Sequence, residues 1–359
     1  MNSTISKIST QANNQANSQT TDQPHKESPN SNTAAEEDAS VTNSPEKTLN
    51  EFCNEIDELL SIGSKVIVGK TEQLKLALCC LLAGGHLLIE DQPGVGKTTL
   101  AQLLSKLVGL EFQRLQFTSD MLPAEIIGAA IYDKPSGTFL FHKGPIFTHL
   151  LLADEINRAT PRAQSALLEA MEEQQVTAEG QTYALPSPFF VIATQNPKDQ
   201  LGTFQLPESQ LDRFLMRISI GYPDAASERE LLAGENRREI LQRITPILDQ
   251  QQLLDLQKRV SRQQVTEPLI DYIQKLLAHS RISNEFAGCL SPRAGLGLLQ
   301  AAKAWALFER RNHVIPEDVQ AVLEAVTAHR LGASSSNAQQ SARQGAELTR
   351  MMVEAVPIP

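Results

Sequence analysis

The segment that most constrains the fold is a short apolar run followed by a glycine-containing loop and a helical pattern. The run is "HLLIE" (86–90), the loop is "DQPGVGKT" (91–98) and the helical pattern is "TTLAQLLSKLV" (98–108). A phosphate cradle requires converging backbone N–H groups, a helix N-terminus behind them and a lysine. Since the segment supplies all three, it predicts a phosphate-binding strand–loop–helix unit.

One residue of this loop departs from the strict pattern G-x-x-x-x-G-K-[ST], because Asp91 stands where that pattern has its first glycine. Aspartate tolerates turn conformations, and position 91 lies at the entrance of the loop rather than at the phosphates. Lys97 is therefore still expected to reach the phosphates, and the Thr98 hydroxyl to hold Mg²⁺. The alternative is a glycine-rich turn that carries a surface lysine.

Strand and helix patterns alternate along the middle of the chain. The strand candidates are 86–90, 112–117, 150–154, 189–194 and 216–220. Runs that are apolar at every position, such as "LLLA", are typical of parallel strands covered on both faces. The alternation predicts an α/β fold with a mostly parallel sheet.

Composition changes mark four segments of the chain. Residues 1–46 are rich in Asn, Gln, Ser and Thr and are predicted to be a disordered tail. Residues 47–223 form the predicted nucleotide-binding domain, and the helical patterns of 224–331 predict a second domain. Residues 332–359 are predicted to be a flexible tail with a short helix at 346–356.

Charge and hydropathy exclude several classes of protein. The net charge of −10, without a long Lys/Arg run, disfavours general nucleic-acid binding. The longest apolar run, 76–89, is shorter than the roughly 20 residues that span a bilayer. The four cysteines lack metal or disulfide spacing, and the N-terminus lacks an apolar signal segment. These features predict a cytoplasmic protein.

Polar residues follow two of the apolar strands. Asp154 and Glu155 come after "LLLA", where an aspartate can bind the Mg²⁺ shell and a glutamate can polarise water. Asn196 follows "VIATQ", where it can position that water. Alone, an acid pair is often only a helix start, and Asn-Pro is usually a turn. Arg213 and Arg293 are candidates for phosphate contacts, although a single arginine is more often a surface ion-pair residue.

The order of these motifs resembles the MoxR family of AAA+ ATPases over residues 65–331. The matching stretches include "KVIVGK", "FTSDMLPAEIIGA", "LLLADEINRATPRAQSALLEAMEE", "ATQNP", "GTFQLPESQLDRF", "SPRAG" and "VIPEDV". "LADEINRA" followed by "LLEAMEE" and "LPESQLDRF" is much more specific than the phosphate loop alone.

The resemblance implies an AAA+ module, a parallel five-stranded αβα sandwich followed by a smaller all-helical lid, which works as a ring, usually of six. ATP and Mg²⁺ are the implied cofactors. Asp154 and Glu155 look like the Walker B pair, Asn196 like sensor 1 and Arg293 like the sensor 2 of the lid. Arg213 looks like an arginine finger that reaches the neighbouring subunit. The implied nucleotide and Mg²⁺ contacts are Val68, Gly69, Gly94, Val95, Gly96, Lys97, Thr98, Thr99 and Asp154.

The family resemblance also implies partners. Segments 131–141 and 174–186 look like β-hairpins that face the ring pore or a partner. Family members usually act as chaperone-like ATPases beside proteins with von Willebrand factor A domains, and they remodel or mature a protein client. Two alternatives stay open, a P-loop kinase of a small substrate and a nucleotide-dependent scaffold that does not hydrolyse ATP.

Overall fold

The computed structural model describes residues 47–135, 137–196, 203–332 and 338–358, with side chains 338–343 left out. The disorder predicted for residues 1–46 lies outside the described residues.

Nine strands of the described ranges form one parallel sheet and two antiparallel hairpins. The strands are β1 (Leu87–Glu90), β2 (Phe112–Gln116), β3 (Gly128–Asp133), β4 (Thr138–Lys143), β5 (Leu150–Asp154), β6 (Gln175–Ala178), β7 (Gln181–Ala184), β8 (Phe190–Gln195) and β9 (Met216–Ile218). The parallel sheet has the order β2-β5-β8-β1-β9, so all five predicted strands are confirmed. The loops after β1, β5 and β8 therefore meet at one edge of the sheet, where α/β proteins bind ligands.

Helices flank the sheet. After β9, the helices and strands named for the described chain are all helices. The helices are α1 (Leu49–Val66), α2 (Thr71–Leu82), α3 (Lys97–Leu107), α4 (Pro123–Ile127), α5 (Pro161–Glu173), α6 (Glu208–Leu211), α7 (Ala225–Ala233), α8 (Arg237–Arg243), α9 (Gln250–Ser261), α10 (Glu267–Ile282), α11 (Pro292–Phe308), α12 (Pro316–Thr327) and α13 (Ala338–Ala355). Local sequence fixes several of the helix N-termini. For example, Thr48 and Glu51 form a capping box at α1, and the Ser291 hydroxyl caps α11.

Both faces of the inner strands β5, β8 and β1 are buried, as their apolar runs predict, whereas the edge strand β2 is partly exposed. Alternate residues of β1 enter different cores, with Ile89 on one face and Leu88 on the other. The core beneath Ile89 is continuous with the helices after β9, through residues such as Val322. The sheet and the helical region therefore share one apolar interior.

The C-terminal helix differs from the expected flexible tail. A helix was expected only at 346–356, but α13 begins at Ala338 and contacts α10 and α12. Leu348, Met352 and Val356 are buried, because their spacing of four residues places them on one helical face. This apolar stripe gives the helix a surface to pack.

Two hairpins stand beside the sheet, where sequence patterns predict them. β3 pairs with β4 and β6 pairs with β7, both antiparallel. The hairpins contact each other, and the rings of Phe141 and Tyr183 stack with centroids 4.3 Å apart. Across the described ranges, no helix is long and apolar enough to cross a membrane.

Candidate active site

A cavity of about 330 Å³ lies at the edge of the sheet where β1, β5 and β8 end. It is lined by Pro93, Gly94, Gly96, Lys97, Thr98, Thr99, Arg114, Asp154, Glu155 and Asn196. The sheet order thus brings together the phosphate loop, the acidic pair and the asparagine, which are far apart in sequence.

The phosphate loop adopts a backbone path that requires its glycines. Gly94 and Gly96 have φ of 85° and 99°, in the region that other residues rarely adopt. A Cβ at either position would meet no atom within 4 Å, so conformation rather than space selects glycine there. The loop leads into the first turn of α3, whose unpaired N–H groups favour an anion.

The Lys97 side chain is buried and spans the cavity. Its Nζ donates to the carbonyl of Asp91 at 2.6 Å and to Oδ1 of Asn196 at 2.9 Å. Burial lowers the pKa of Lys97, and the negative charges of Asp91, Asp154 and Glu155 oppose that shift. Lys97 is therefore held by neutral oxygens, within the same cavity as the acidic pair.

Asp154 is fixed by a threonine that sequence reasoning missed. The Thr194 hydroxyl donates to Oδ1 of Asp154 at 2.5 Å and accepts the backbone N–H of Glu155 at 2.9 Å. The signal lay in the strand pattern, because Thr194 is a polar residue inside the apolar strand β8, next to β5. Thr194 orients both members of the acidic pair.

Glu155 occupies a strained backbone conformation. Its φ of 58° and ψ of 46° lie in the left-handed region, which costs a non-glycine residue roughly 1–3 kcal/mol. Its carboxylate accepts from Nδ2 of Asn196 at 3.4 Å and pairs with Arg158 at 2.8 Å. Asn196 therefore links Lys97 to Glu155.

Arg114 is a second lining residue that sequence reasoning missed. From β2, its Nη2 and Nε donate to Oδ2 of Asp154 at 2.6 Å and 3.2 Å. A guanidinium thus stands beside one carboxylate oxygen of Asp154, and the Thr98 hydroxyl lines the same cavity. These oxygen donors fit a hard cation such as Mg²⁺.

Asp91 is a buried link rather than an exposed turn residue. Its carboxylate accepts from the backbone N–H of Gly221 at 2.6 Å, from the Ser219 hydroxyl at 3.0 Å and from the N–H of Gln92 at 2.8 Å. Its own N–H donates to the carbonyl of Gln195 at 3.2 Å. The residue that breaks the strict motif therefore ties the loop entrance to β8 and to the segment after β9.

Arg213 and Arg293 lie together, but at a different cavity of about 310 Å³. Arg213 pairs with Oε2 of Glu172 at 3.0 Å, and Arg293 pairs with the other oxygen of the same carboxylate. No residue described at this second cavity also lines the first one. The structure thus brings the two arginines to each other and not to the phosphate loop of their own chain.

Polar contacts at the second cavity also join the sheet to the helical region. Asp212 accepts from Nε of Arg330 at 2.6 Å and from the Ser291 hydroxyl at 3.0 Å. Glu172, on α5, reaches Arg293 in the first turn of α11. Sequence reasoning missed Glu172 and Asp212, whose partners lie far along the chain.

The remaining predicted nucleotide contacts lie outside the first cavity's lining. Val68 is half-buried and Gly69 is exposed, between α1 and α2. A Cβ on Gly69 would come within 2.1 Å of the Ser227 hydroxyl, so this segment packs against the start of α7. Val95 is half-buried and packs against the core below the loop.

Comparisons with known proteins agree with this geometry. Residues 86–216 match the ATPase family associated with various cellular activities (AAA), and residues 278–351 match the AAA lid domain. The second match includes part of α13. The folded part of the chain therefore carries the two modules of an AAA+ protein.

Three relatives are similar over most of the chain. Chaperone MoxR1 of Mycobacterium tuberculosis is 40% identical over 74% of this chain and 73% of its own length. The uncharacterized protein YeaC of Bacillus subtilis is 39% identical over 82% of this chain and 92% of its own length. The crystal structure of a putative ATPase from Cytophaga hutchinsonii superposes with a TM-score of 0.76, at 35% identity, over 87% of this chain and 97% of that one. With its phosphate loop, acidic pair and five-stranded sheet in place, the chain belongs to the MoxR family of AAA+ ATPases.

Proposed function

We propose that this ATPase is a Mg²⁺-dependent, ring-forming motor that remodels or matures protein complexes. The observation that carries the proposal is that one cavity collects Lys97, Thr98, Asp154, Glu155 and Asn196. These side chains are the types that ATP hydrolysis requires.

Each residue has a role that follows from its contacts. Lys97 exchanges the Asp91 carbonyl for phosphate oxygens, because a charged partner is stronger than a neutral one. Glu155 polarises the attacking water, and Asn196 holds its position between Lys97 and Glu155. Thr98 and Asp154 would hold Mg²⁺, which when bound neutralises charge on the β- and γ-phosphates.

The placement of Arg213 and Arg293 supports assembly into a ring. Both lie away from their own phosphate loop, and both point to one shared carboxylate, Glu172. Two cations on one anion leave net positive charge that suits a phosphate of a neighbouring subunit. We assign both arginines to the nucleotide of the next subunit in a hexameric ring.

The two hairpins are the proposed surface for partner and client. Phe139 is 71% exposed and Tyr132 is 53% exposed, at the hairpin formed by β3 and β4. Exposed apolar groups that cluster in this way are typical of protein-interaction sites. The proposed partner carries a von Willebrand factor A domain, and the client is a protein complex.

The test is the substitution Glu155→Gln, which keeps the shape of the side chain and removes the base. ATP binding should be retained, and turnover should fall by about 100-fold or more. Glu173→Gln, at an exposed position on α5, is the matched control and should hydrolyse normally. Normal hydrolysis by the Glu155→Gln protein would contradict the proposal.

A further inference from the structure

Arg114 stands at the one acidic oxygen where the proposed metal would bind. Oδ1 of Asp154 is taken by the Thr194 hydroxyl, and Oδ2 is taken by two nitrogens of Arg114. Arg114 also lines the cavity itself, together with the phosphate loop. A cation that enters this cavity and binds Asp154 must therefore compete with the guanidinium.

The Arg114 side chain is placed to move without leaving the cavity. Its side chain is 48% exposed, whereas that of Asp154 is only 10% exposed. Nη2 of Arg114 also donates to Oε1 of Gln116 at 3.1 Å, a partner that lies outside the acidic pair. The arginine thus has a second anchor on its own strand when Asp154 changes partner.

The charge of the cavity gives the displaced guanidinium a new partner. The positive charges of Lys97 and Arg114 balance the negative charges of Asp154 and Glu155 in the lining. A nucleoside triphosphate therefore brings excess negative charge into the cavity. A guanidinium presents a planar fork of N–H donors that matches phosphate oxygens. The terminal phosphate would lie nearest to the acidic pair, which is where Arg114 is already held.

We propose that Arg114 is a further catalytic residue of this chain, which leaves Asp154 for the γ-phosphate of bound ATP when a divalent cation takes its place. The inference rests on the proposed function, because it deepens the chemistry of the same cavity. In the nucleotide-free chain Arg114 protects Asp154 from being an unpaired buried charge. In the loaded chain it adds a second cationic contact to the phosphate that is transferred.

The experiment compares binding of a non-hydrolysable ATP analogue with binding of ADP. Arg114→Gln should weaken binding of the analogue by about 10-fold or more, as expected for a lost charge-assisted contact. It should leave the affinity for ADP within about 2-fold of wild type. Arg243→Gln is the matched control, since Arg243 is an exposed arginine that also pairs with carboxylates. Equal losses for ADP and the analogue, or no loss for either, would overturn the proposal.

A second readout follows the metal rather than the nucleotide. Mn²⁺ binding is measured by electron paramagnetic resonance in the presence of ADP. The Mn²⁺ concentration at half-saturation should be several-fold lower in Arg114→Gln, because Mn²⁺ no longer competes with the guanidinium for Asp154. An unchanged or higher Mn²⁺ midpoint would overturn the proposal. Should Arg114→Gln fail to fold, Gln116→Ala keeps the guanidinium and removes its second anchor, so Arg114 should leave Asp154 less readily and the Mn²⁺ midpoint should rise. An unchanged or lower midpoint in Gln116→Ala would then overturn the proposal.

These binding measurements separate the inference from the proposed function. A wild-type chain that binds ATP but never hydrolyses it would contradict the motor, while a selective loss in Arg114→Gln would still support the contact. A wild-type chain that hydrolyses ATP, with no selective loss in Arg114→Gln, would contradict the contact alone.

Discussion

The carboxylate of Asp91 accepts the backbone N–H of Gly221 at 2.6 Å, which joins the start of the phosphate loop to the chain that leaves the sheet for the helical region. The carbonyl of the same Asp91 accepts Nζ of Lys97 at 2.6 Å. One residue therefore contacts both Lys97 and the link between the two regions.

Replacing Asp91 with glycine restores the strict phosphate-loop motif, yet we expect it to destabilise the protein. The substitution leaves the N–H of Gly221 and the Ser219 hydroxyl, both partly buried, without their acceptor. An unsatisfied buried group costs about 1–3 kcal/mol, and partial access of water places these two toward the lower end. Thermal unfolding should show a lower midpoint. Asp91→Asn keeps one acceptor oxygen and should fall between the two, whereas an Asp91→Gly protein as stable as wild type would contradict this account.

The arginines at the second cavity give a prediction about assembly. Arg213→Ala and Arg293→Ala should each bind ATP normally and lose hydrolysis, because their proposed target is the neighbour's nucleotide. Mixing the Arg213→Ala chain with a Lys97→Ala chain should restore activity, since about a quarter of the interfaces in a random ring then pair an intact loop with an intact arginine. Turnover of the mixture is measured at constant total protein.

Two outcomes of that mixing experiment are informative. Recovery of activity shows that the arginine acts on a neighbouring chain. No recovery in a mixture that co-elutes as one assembly on size exclusion would contradict the shared site. A strictly monomeric and fully active wild-type protein would contradict it as well.

The sheet could be predicted from sequence because its signals are local. Runs such as "LLLA" (150–153) are apolar at every position, and the glycines of the phosphate loop mark a backbone that few other residues adopt. Helix α13 was predicted too short, because its first two turns are polar and only its later residues carry the apolar stripe.

The contacts that complete the site could not be predicted in the same way. Arg114, Thr194 and Glu172 are each ordinary residues within their own segments, and they become informative only when the sheet order brings distant segments together. Arg293 shows the same limit. Its motif indicates a phosphate contact, but only the fold shows that it lies beside Arg213 and away from its own loop.

The exposed hairpin gives a prediction about partners. Phe139→Ser and Tyr132→Ser should leave folding and basal ATP hydrolysis unchanged, because both side chains lie mostly in solvent. Capture of a client by the Glu155→Gln chain with ATP should fall, since the proposed contact surface has lost apolar area. Leu232→Ser is the control, as Leu232 is an equally apolar side chain that is 84% exposed elsewhere. Equal client capture by the Phe139→Ser and control proteins would contradict the assignment.

His86, which is buried directly before β1, gives a prediction about pH dependence. Its Nδ1 accepts the N–H of Val191 at 3.1 Å, and its Nε2 lies 3.3 Å from the carbonyl of Met171, a pattern that fits the neutral ring. Burial lowers the pKa of His86 from 6.5 to about 4, because the charged ring would lose its hydration. Protonation would also place a second N–H against the Val191 donor.

The sign of the pH effect follows from these two values. The His86 ring takes up a proton below pH 6.5 in the unfolded chain but only near pH 4 in the folded chain. The contribution of neutral His86 to the free energy of unfolding is therefore complete above pH 6.5, and it is lost as the pH falls from 6.5 to about 4. The loss reaches about 3 kcal/mol at the acid end. Unfolding midpoints of wild type and His86→Gln, taken from pH 7.5 to pH 4.5, should converge on acidification, even though the variant begins less stable. Parallel curves would show that His86 does not carry this acid sensitivity, because only a group that titrates differently in the two states can make the curves approach.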